Sequence, residues 1–177
     1  MGYLKKYTVR FRELDPGEHW FNFEINNQFF SEFEKSEINE GNLNAEIKLL
    51  KEERVITLDI AIKGNVMIMC DRCLDYFAFP VNFEGRLYIK QKHEAEKNRT
   101  DIFGVTEDET EINLSQYFYE SIHLSLPLKR VHPDDEDGNS TCDESMLELL
   151  KKYSKSEEDD NIDPRWNDLK NLFVERN

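Results

Sequence analysis

Apolar and polar residues alternate through most of the first ninety positions. Tyr7, Val9 and Phe11 share one face, as do Phe21, Phe23 and Ile25 beyond the Asp15-Pro16-Gly17 turn. Leu43, Ala45, Ile47 and Leu49 alternate again, followed by Ile56, Leu58, Ile60 and Ile62. A period of two sends successive side chains to opposite faces of a strand, so each set predicts a half-buried strand. Lys63-Gly64-Asn65 supplies turn residues and predicts a strand end, after which Val66 to Met69 leads into Cys70. Phe77, Phe79, Val81, Phe83, Gly85, Leu87 and Ile89 then alternate over thirteen positions. A strand that long must twist or bend, and Gly85 is the place for it. Phe29, Phe30 and Phe33 break the pattern and fit one short helical turn over a sheet end. The connections are short, so antiparallel pairing is expected.

Gln91 to Glu111 is polar and patternless, and reads as a long loop. A helix follows: Asn113 suits its N-cap, Gln116 the capping-box position, and Ile112 with Tyr117 a hydrophobic staple. Leu114, Tyr117, Phe118, Ser121 and Ile122 form its apolar face, and Pro127 lies beyond its end. A second helix starts at Asp143 and Glu144, with Met146, Leu147, Leu150 and Tyr153 on one face. Its front acids and its Lys151, Lys152 and Lys155 suit the helix dipole. Asp163-Pro164 opens a last helix with Trp166, Leu169 and Phe173 in a stripe.

These elements predict an α+β fold: a curved antiparallel β-sheet, partly barrel-like, from the N-terminal half, covered by C-terminal helices. The expected organisation is a single domain over residues 1–153, with the C-x-x-C turn at 70–73. Residues 154–177 then form an acidic linker and a C-terminal amphipathic helix.

Charge changes the picture. The chain of 177 residues carries a formal net charge of −14. Residues 1–100 hold 15 Lys and Arg against 17 Asp and Glu, whereas residues 101–177 hold 8 against 20. Nucleic-acid binders usually show a basic footprint, so broad phosphate binding by the whole molecule is disfavoured. The acidic C-terminal part suits solvation or a basic partner. The acidic runs at 134–137 and 157–160 are expected to be exposed and mobile. No apolar run approaches the ~20 residues that cross a bilayer, and Met1 to Lys6 lacks the apolar core of a signal peptide. With three cysteines and no secretory signal, a reducing cytoplasmic setting is expected.

Cys70-Asp71-Arg72-Cys73 is the main chemical motif, lying between two strand-like segments. A redox pair belongs at a helix N-terminus, where the dipole lowers a thiol pKa, but strand-like alternation follows Cys73. Two readings remain open: buried core thiols, or half of a metal site. Downstream, His132 and Cys142 complete a Cys3His set, which is what a closed tetrahedral zinc site requires. The nine-residue gap between them matches no common finger spacing. No catalytic residue is assigned: there is no G-x-S-x-G, phosphate-binding glycine loop or H-E-x-x-H, and His19, His93 and His123 are isolated. His123 reads as an exposed or capped helix histidine.

Positive charge concentrates at Arg72, Arg86, Lys90, Lys92, Lys97 and Arg99, near Tyr76, Phe77 and Tyr88. Basic residues among aromatics can bind single-stranded RNA through phosphate contacts and stacking. On the residues alone, a solvated strand face and loop is the better-supported reading of the same positions.

The ordered set of Gly64, Cys70-Asp71-Arg72-Cys73-Leu74, Ile112-Asn113-Leu114, Leu126-Pro127-Leu128, Val131-His132, Cys142 and Asp163-Pro164-Arg165-Trp166 resembles the YceD family, the large-ribosomal-RNA accumulation proteins. The resemblance covers nearly the whole chain. It implies a cytoplasmic, non-enzymatic factor needed for normal levels of large-subunit ribosomal RNA. The implied partner is ribosomal RNA or a ribosomal protein of the large subunit, with no membrane and no small-molecule substrate. An acidic module that chaperones a basic ribosomal protein is the alternative. The resemblance supports a structural zinc on Cys70, Cys73 and Cys142; the residues themselves offer His132 as the expected fourth ligand. The expected RNA contacts are Arg72, Arg86, Lys90 and Lys92.

Overall fold

The alternating apolar positions share one face of a sheet because every strand pairs without a register slip. The computed structural model describes residues 2–53, 55–91, 102–105 and 109–154. A 3-10 turn at Tyr3–Tyr7 precedes strand β1 (Thr8–Val9), then β2 (Gly17–Ile25), helix α1 (Asn27–Ser31), β3 (Gly41–Lys51), β4 (Ile56–Met69) and β5 (Tyr76–Gln91). Short strands β6 (Ile102–Val105) and β7 (Ile112–Asn113) follow, then α2 (Ser115–Leu124) and α3 (Glu144–Tyr153). The main sheet has the order β2-β3-β4-β5-β6, and β1 pairs separately with β7.

Core rungs run straight across the sheet. Phe21 faces Ile47, Ile47 faces Ile60, and Ile60 faces Gly85; Phe23, Ala45, Ile62 and Phe83 form the next rung. On this face Tyr7, Phe29, Phe30, Phe118 and Ile122 are fully buried. Tyr7 lies edge-on to Phe29 and Phe118, and its hydroxyl donates to the Glu24 carbonyl. Helix α2 supplies Phe118 and Ile122 at helical spacing and so roofs the sheet. The N-cap position falls on Leu114, which makes no side-chain cap bond, rather than on Asn113 as expected; Asn113, one residue earlier, accepts from the Ser115 backbone N–H at 3.0 Å. Gln116 leaves the capping-box role and donates to Glu120 instead. A Cβ on Gly85 would sit 2.6 Å from the Tyr117 hydroxyl, so this glycine makes room for the helix.

Several expectations change. The sheet is open, with β2 and β6 at its edges, so it is not partly barrel-like. The stretch read as loop contains β6, and β6 runs parallel to β5 rather than antiparallel. Four residues are too few to announce themselves as a strand by alternation. Lys63-Gly64-Asn65 does not end a strand: β4 runs through it with its pairing to β3 unbroken. Gly64 is needed there because φ is +151° and a Cβ would lie 2.2 Å from the Asn42 carbonyl oxygen. The last predicted helix, with Trp166, Leu169 and Phe173, and the acidic run 157–160 lie outside the described residues. No helix among the described residues is long and apolar enough to cross a membrane.

Candidate metal centre

The two longest strands carry the C-x-x-C on their shared hairpin tip. β4 and β5 pair along their whole length, from Ile56 with Ile89 to Met69 with Tyr76, leaving Cys70 to Asp75 as the connection. The tip closes on itself. The Cys70 N–H donates to the Asp75 carbonyl at 2.9 Å, and the Leu74 N–H donates to the Cys70 carbonyl at 3.0 Å. Leu74 takes φ of +62°, an uncommon conformation for a residue with a Cβ, and this folds the chain back behind Cys73. The Arg72 N–H points at the Cys70 sulfur at 3.4 Å.

A second limb arrives from beyond α2 and is pinned to the tip. The Asp71 N–H donates to the Arg130 carbonyl, and the Arg130 N–H donates to the Asp71 carboxylate, each at 2.7 Å. The Arg130 guanidinium pairs in turn with Glu37 at 2.8 Å. His132 follows. The chain then doubles back through a bridge between Asp134 and Ser140. Asp135 organises the turn: its carboxylate accepts from the backbone N–H groups of Asp137 and Asn139. Gly138 completes it at φ +81°, and the Thr141 hydroxyl donates to the Pro133 carbonyl. The acidic run 134–137 is thus exposed, as expected, but it is a closed hydrogen-bonded turn rather than a loose loop. Its folding brings Cys142 back beside His132. Asp143 then caps α3, accepting from the Ser145 N–H at 2.8 Å.

The four donors converge. The Cys70 and Cys142 sulfurs are 3.8 Å apart, and His132 Nδ1 lies 3.4 Å from the Cys73 sulfur and 3.7 Å from that of Cys142. All four ligand atoms lie within 4.8 Å of one another. A tetrahedral zinc with Zn–S near 2.3 Å and Zn–N near 2.0 Å needs S···S of about 3.8 Å and S···N of about 3.5 Å. The three short separations match that geometry, and the remaining ones stay within 4.8 Å. Cys70, Cys73 and Cys142 are 0%, 4% and 5% exposed and His132 is half-buried, so the four side chains together can fill a tetrahedral site. The His132 ring rests against Phe77 at a centroid distance of 4.7 Å.

Burial pushes both thiols of the C-x-x-C up. At Cys70 the backbone N–H groups of Cys73, Arg72 and His132 and the His132 side chain outweigh burial and hold the thiol down to about 6. At Cys73 burial prevails over the N–H groups of Asp75 and Asp143, and the thiol stays above its ordinary value. N–H groups aimed at sulfur favour thiolate, the form that binds metal.

Arg72 and Arg86, the two predicted RNA contacts with described side chains, lie on different parts of the molecule. Arg72 turns inward at the hairpin tip, where its Nη2 donates to the Ser140 hydroxyl at 3.0 Å. Arg86 projects from the sheet's outer face and pairs with Asp59 of β4 at 2.5 Å. Tyr76 and Arg86 lie ten positions apart along β5, roughly 30 Å at a strand's rise. Lys90 lies four positions further along β5, in register with Gly104, and Lys92 lies outside the described residues. The outer face also carries Glu46 and Glu84 on either side of Ala61, and Trp20, 64% exposed, opposite Lys48. His123 is neither free nor a ligand here: its Nδ1 donates to the Tyr119 carbonyl and its ring packs on Tyr119.

Asp71, Arg130 and Ser140 shape the site, yet no sequence signal marks them, because their partners are 59 and 68 residues away.

Fold and site together define a small α+β protein whose two chain limbs are joined at a Cys3His cluster of three buried cysteines and a half-buried histidine. The family model for large ribosomal RNA subunit accumulation protein YceD matches residues 58–173, a span that includes all four donors. The chain belongs to this YceD family, whose description ties it to accumulation of large-subunit ribosomal RNA. No curated protein and no solved structure matches the chain.

Proposed function

We propose that this chain is a non-enzymatic cytoplasmic factor in large-subunit ribosomal RNA accumulation, with a structural zinc on Cys70, Cys73, His132 and Cys142. The observation that supports it is the coincidence of the four-donor cluster with the span matched by the family. Bound zinc would supply no reaction. It would lock the β4–β5 tip to the limb that leads into α3, and so fix the relative placement of the surfaces on either side.

A specific observation favours protein over bare RNA as the direct partner. Of the four expected RNA contacts, the two with described side chains, Arg72 and Arg86, are engaged within the protein. On the sheet's outer face Lys48 and Arg86 are paired with Glu18 and Asp59, and Glu24, Glu46 and Glu84 stand against Lys63, so the face is of mixed charge without the basic footprint that phosphate binding requires.

The test replaces Cys70 and Cys73 by Ser in the full-length chain in its own cell. The large-to-small ribosomal RNA ratio should fall towards that of the deletion strain. A ratio equal to wild type, with the variant present at normal abundance, overturns the metal-dependent reading. Pull-down at graded salt then assigns the partner: retention of a basic ribosomal protein after ribonuclease treatment is expected, and retention of RNA alone overturns the protein-binding reading.

A further inference from the structure

We propose that Arg72 is the counter-charge of the metal centre and that Ser140 holds it in place. The proposal rests on the zinc reading above. Three thiolates and one neutral imidazole around a divalent cation leave a centre of net charge roughly −1. The three cysteines are almost wholly out of water, and a buried charge without a partner is costly. A Cys3His site in this setting therefore needs a cation beside it.

Arg72 lies between the two cysteines of the tip and is a cation with no carboxylate. Its Nε is buried and has no hydrogen-bond partner. Among the described residues, no carboxylate lies within ion-pair distance of it. The carboxylates nearest in sequence are committed elsewhere: Asp71 accepts from the Arg130 N–H, Asp75 from the Tyr76 N–H and Asp143 from Ser145. A guanidinium does not lose its proton at any ordinary pH. The protein thus holds a positive charge, with an orphan donor, one hydrogen bond from the Ser140 hydroxyl that also accepts from the Cys142 N–H. Thiolates at the loaded site are the anions that resolve both problems at once.

Ser140 explains how the guanidinium is kept there. Its hydroxyl oxygen accepts from Arg72 Nη2 at 3.0 Å and from the backbone N–H of Cys142 at 3.4 Å. One oxygen thereby ties the cation of the tip to the ligand of the second limb. Such outer contacts orient ligands and tune metal affinity.

The experiment measures zinc affinity of the full chain by competition with a chromophoric chelator, for wild type, Arg72→Gln, Arg72→Lys and Ser140→Ala. Gln keeps an N–H donor without charge, while Lys keeps the charge. Arg72→Gln should bind zinc 10- to 100-fold more weakly. Arg72→Lys should recover most of that loss, and Ser140→Ala should fall between. Cobalt(II) spectra should show the same tetrahedral sulfur–nitrogen coordination in all four, so that the change is in affinity and not in ligand set. Affinity of Arg72→Gln within twofold of wild type overturns the proposal. Recovery by Gln but not by Lys overturns it too, since hydrogen bonding would then carry the effect. If Arg72→Gln fails to fold, Arg72→Lys and Ser140→Ala decide by the same ranking. Absence of zinc binding by wild type overturns the metal reading itself, a distinct outcome.

Discussion

The sulfurs of Cys70 and Cys142 lie 3.8 Å apart although 72 residues separate them in the chain. That gap is too long for a disulfide and right for two ligands of one tetrahedral ion. Protein purified without chelator should therefore carry one zinc per chain by elemental analysis, and Cys142→Ser should carry none. At free metal a hundredfold above its Kd, binding adds about 2.7 kcal/mol to stability. For a chain of this length that corresponds to roughly 5–10 °C in Tm. A chelator that leaves Tm unchanged would show that the cluster is plain thiols.

Gly64→Ala tests the continuity of β4. The new methyl would sit 2.2 Å from the Asn42 carbonyl and 2.5 Å from the Leu43 Cα, both backbone atoms of the neighbouring strand. Neither can move without separating β3 from β4, and φ of +151° is itself unfavourable for alanine. The variant should lose about 3 kcal/mol or more, read as a Tm drop or failure to fold. A drop below ~1 kcal/mol would mean that the strand can break at Lys63-Gly64-Asn65, as the turn-like composition suggests.

Asp135 gives a pH signature. The backbone N–H of Asn139 above all holds its carboxyl below the usual range, against a smaller effect of burial. A carboxylate depressed in the folded state stabilises above its unfolded pKa, about 3.9, and loses that contribution as pH falls through the folded value. In chelator, so that metal release does not enter, Asp135→Ala should melt below wild type at pH 7. The gap should close as pH falls below about 4. A gap independent of pH would show that the carboxylate does not hold the turn.

Arg86→Glu separates the partner readings. The pair with Asp59 is well exposed, and such pairs contribute little, so the fold should lose less than ~1 kcal/mol. Two carboxylates would then face one another across β4 and β5, making the outer face more acidic. Retention of the ribosomal protein partner should persist or strengthen in a pull-down. Loss of ribosomal RNA retention by this folded variant would restore direct RNA contact.

Much of the fold was legible in residue order. Strict alternation at Leu43, Ala45, Ile47 and Leu49, and at Leu58, Ile60 and Ile62, named the buried face correctly, because a strand's side-chain period is fixed by backbone geometry. Phe29 and Phe30 declared a helical turn, and Phe118 and Ile122 a helix face, for the same kind of local reason. Gly64 misled because glycine marks both a turn and a close backbone approach, and only the neighbouring strand tells which. β6 escaped notice because its pairing with β5, not its own four residues, makes it a strand.

For the site, the sequence by itself determined the inventory: three cysteines and His132, with a tight C-x-x-C that must sit at one turn. Whether the distant pair would meet that turn was decided only by the tertiary structure. The Asp134–Ser140 bridge closes the long gap between His132 and Cys142, and Arg130 anchors that limb to Asp71 at the tip. The roles of Arg72 and Arg86 were decided there too. Charge is a property of residue type, but whether a cation meets solvent, a carboxylate or a cluster of thiols depends on chain segments far away in sequence.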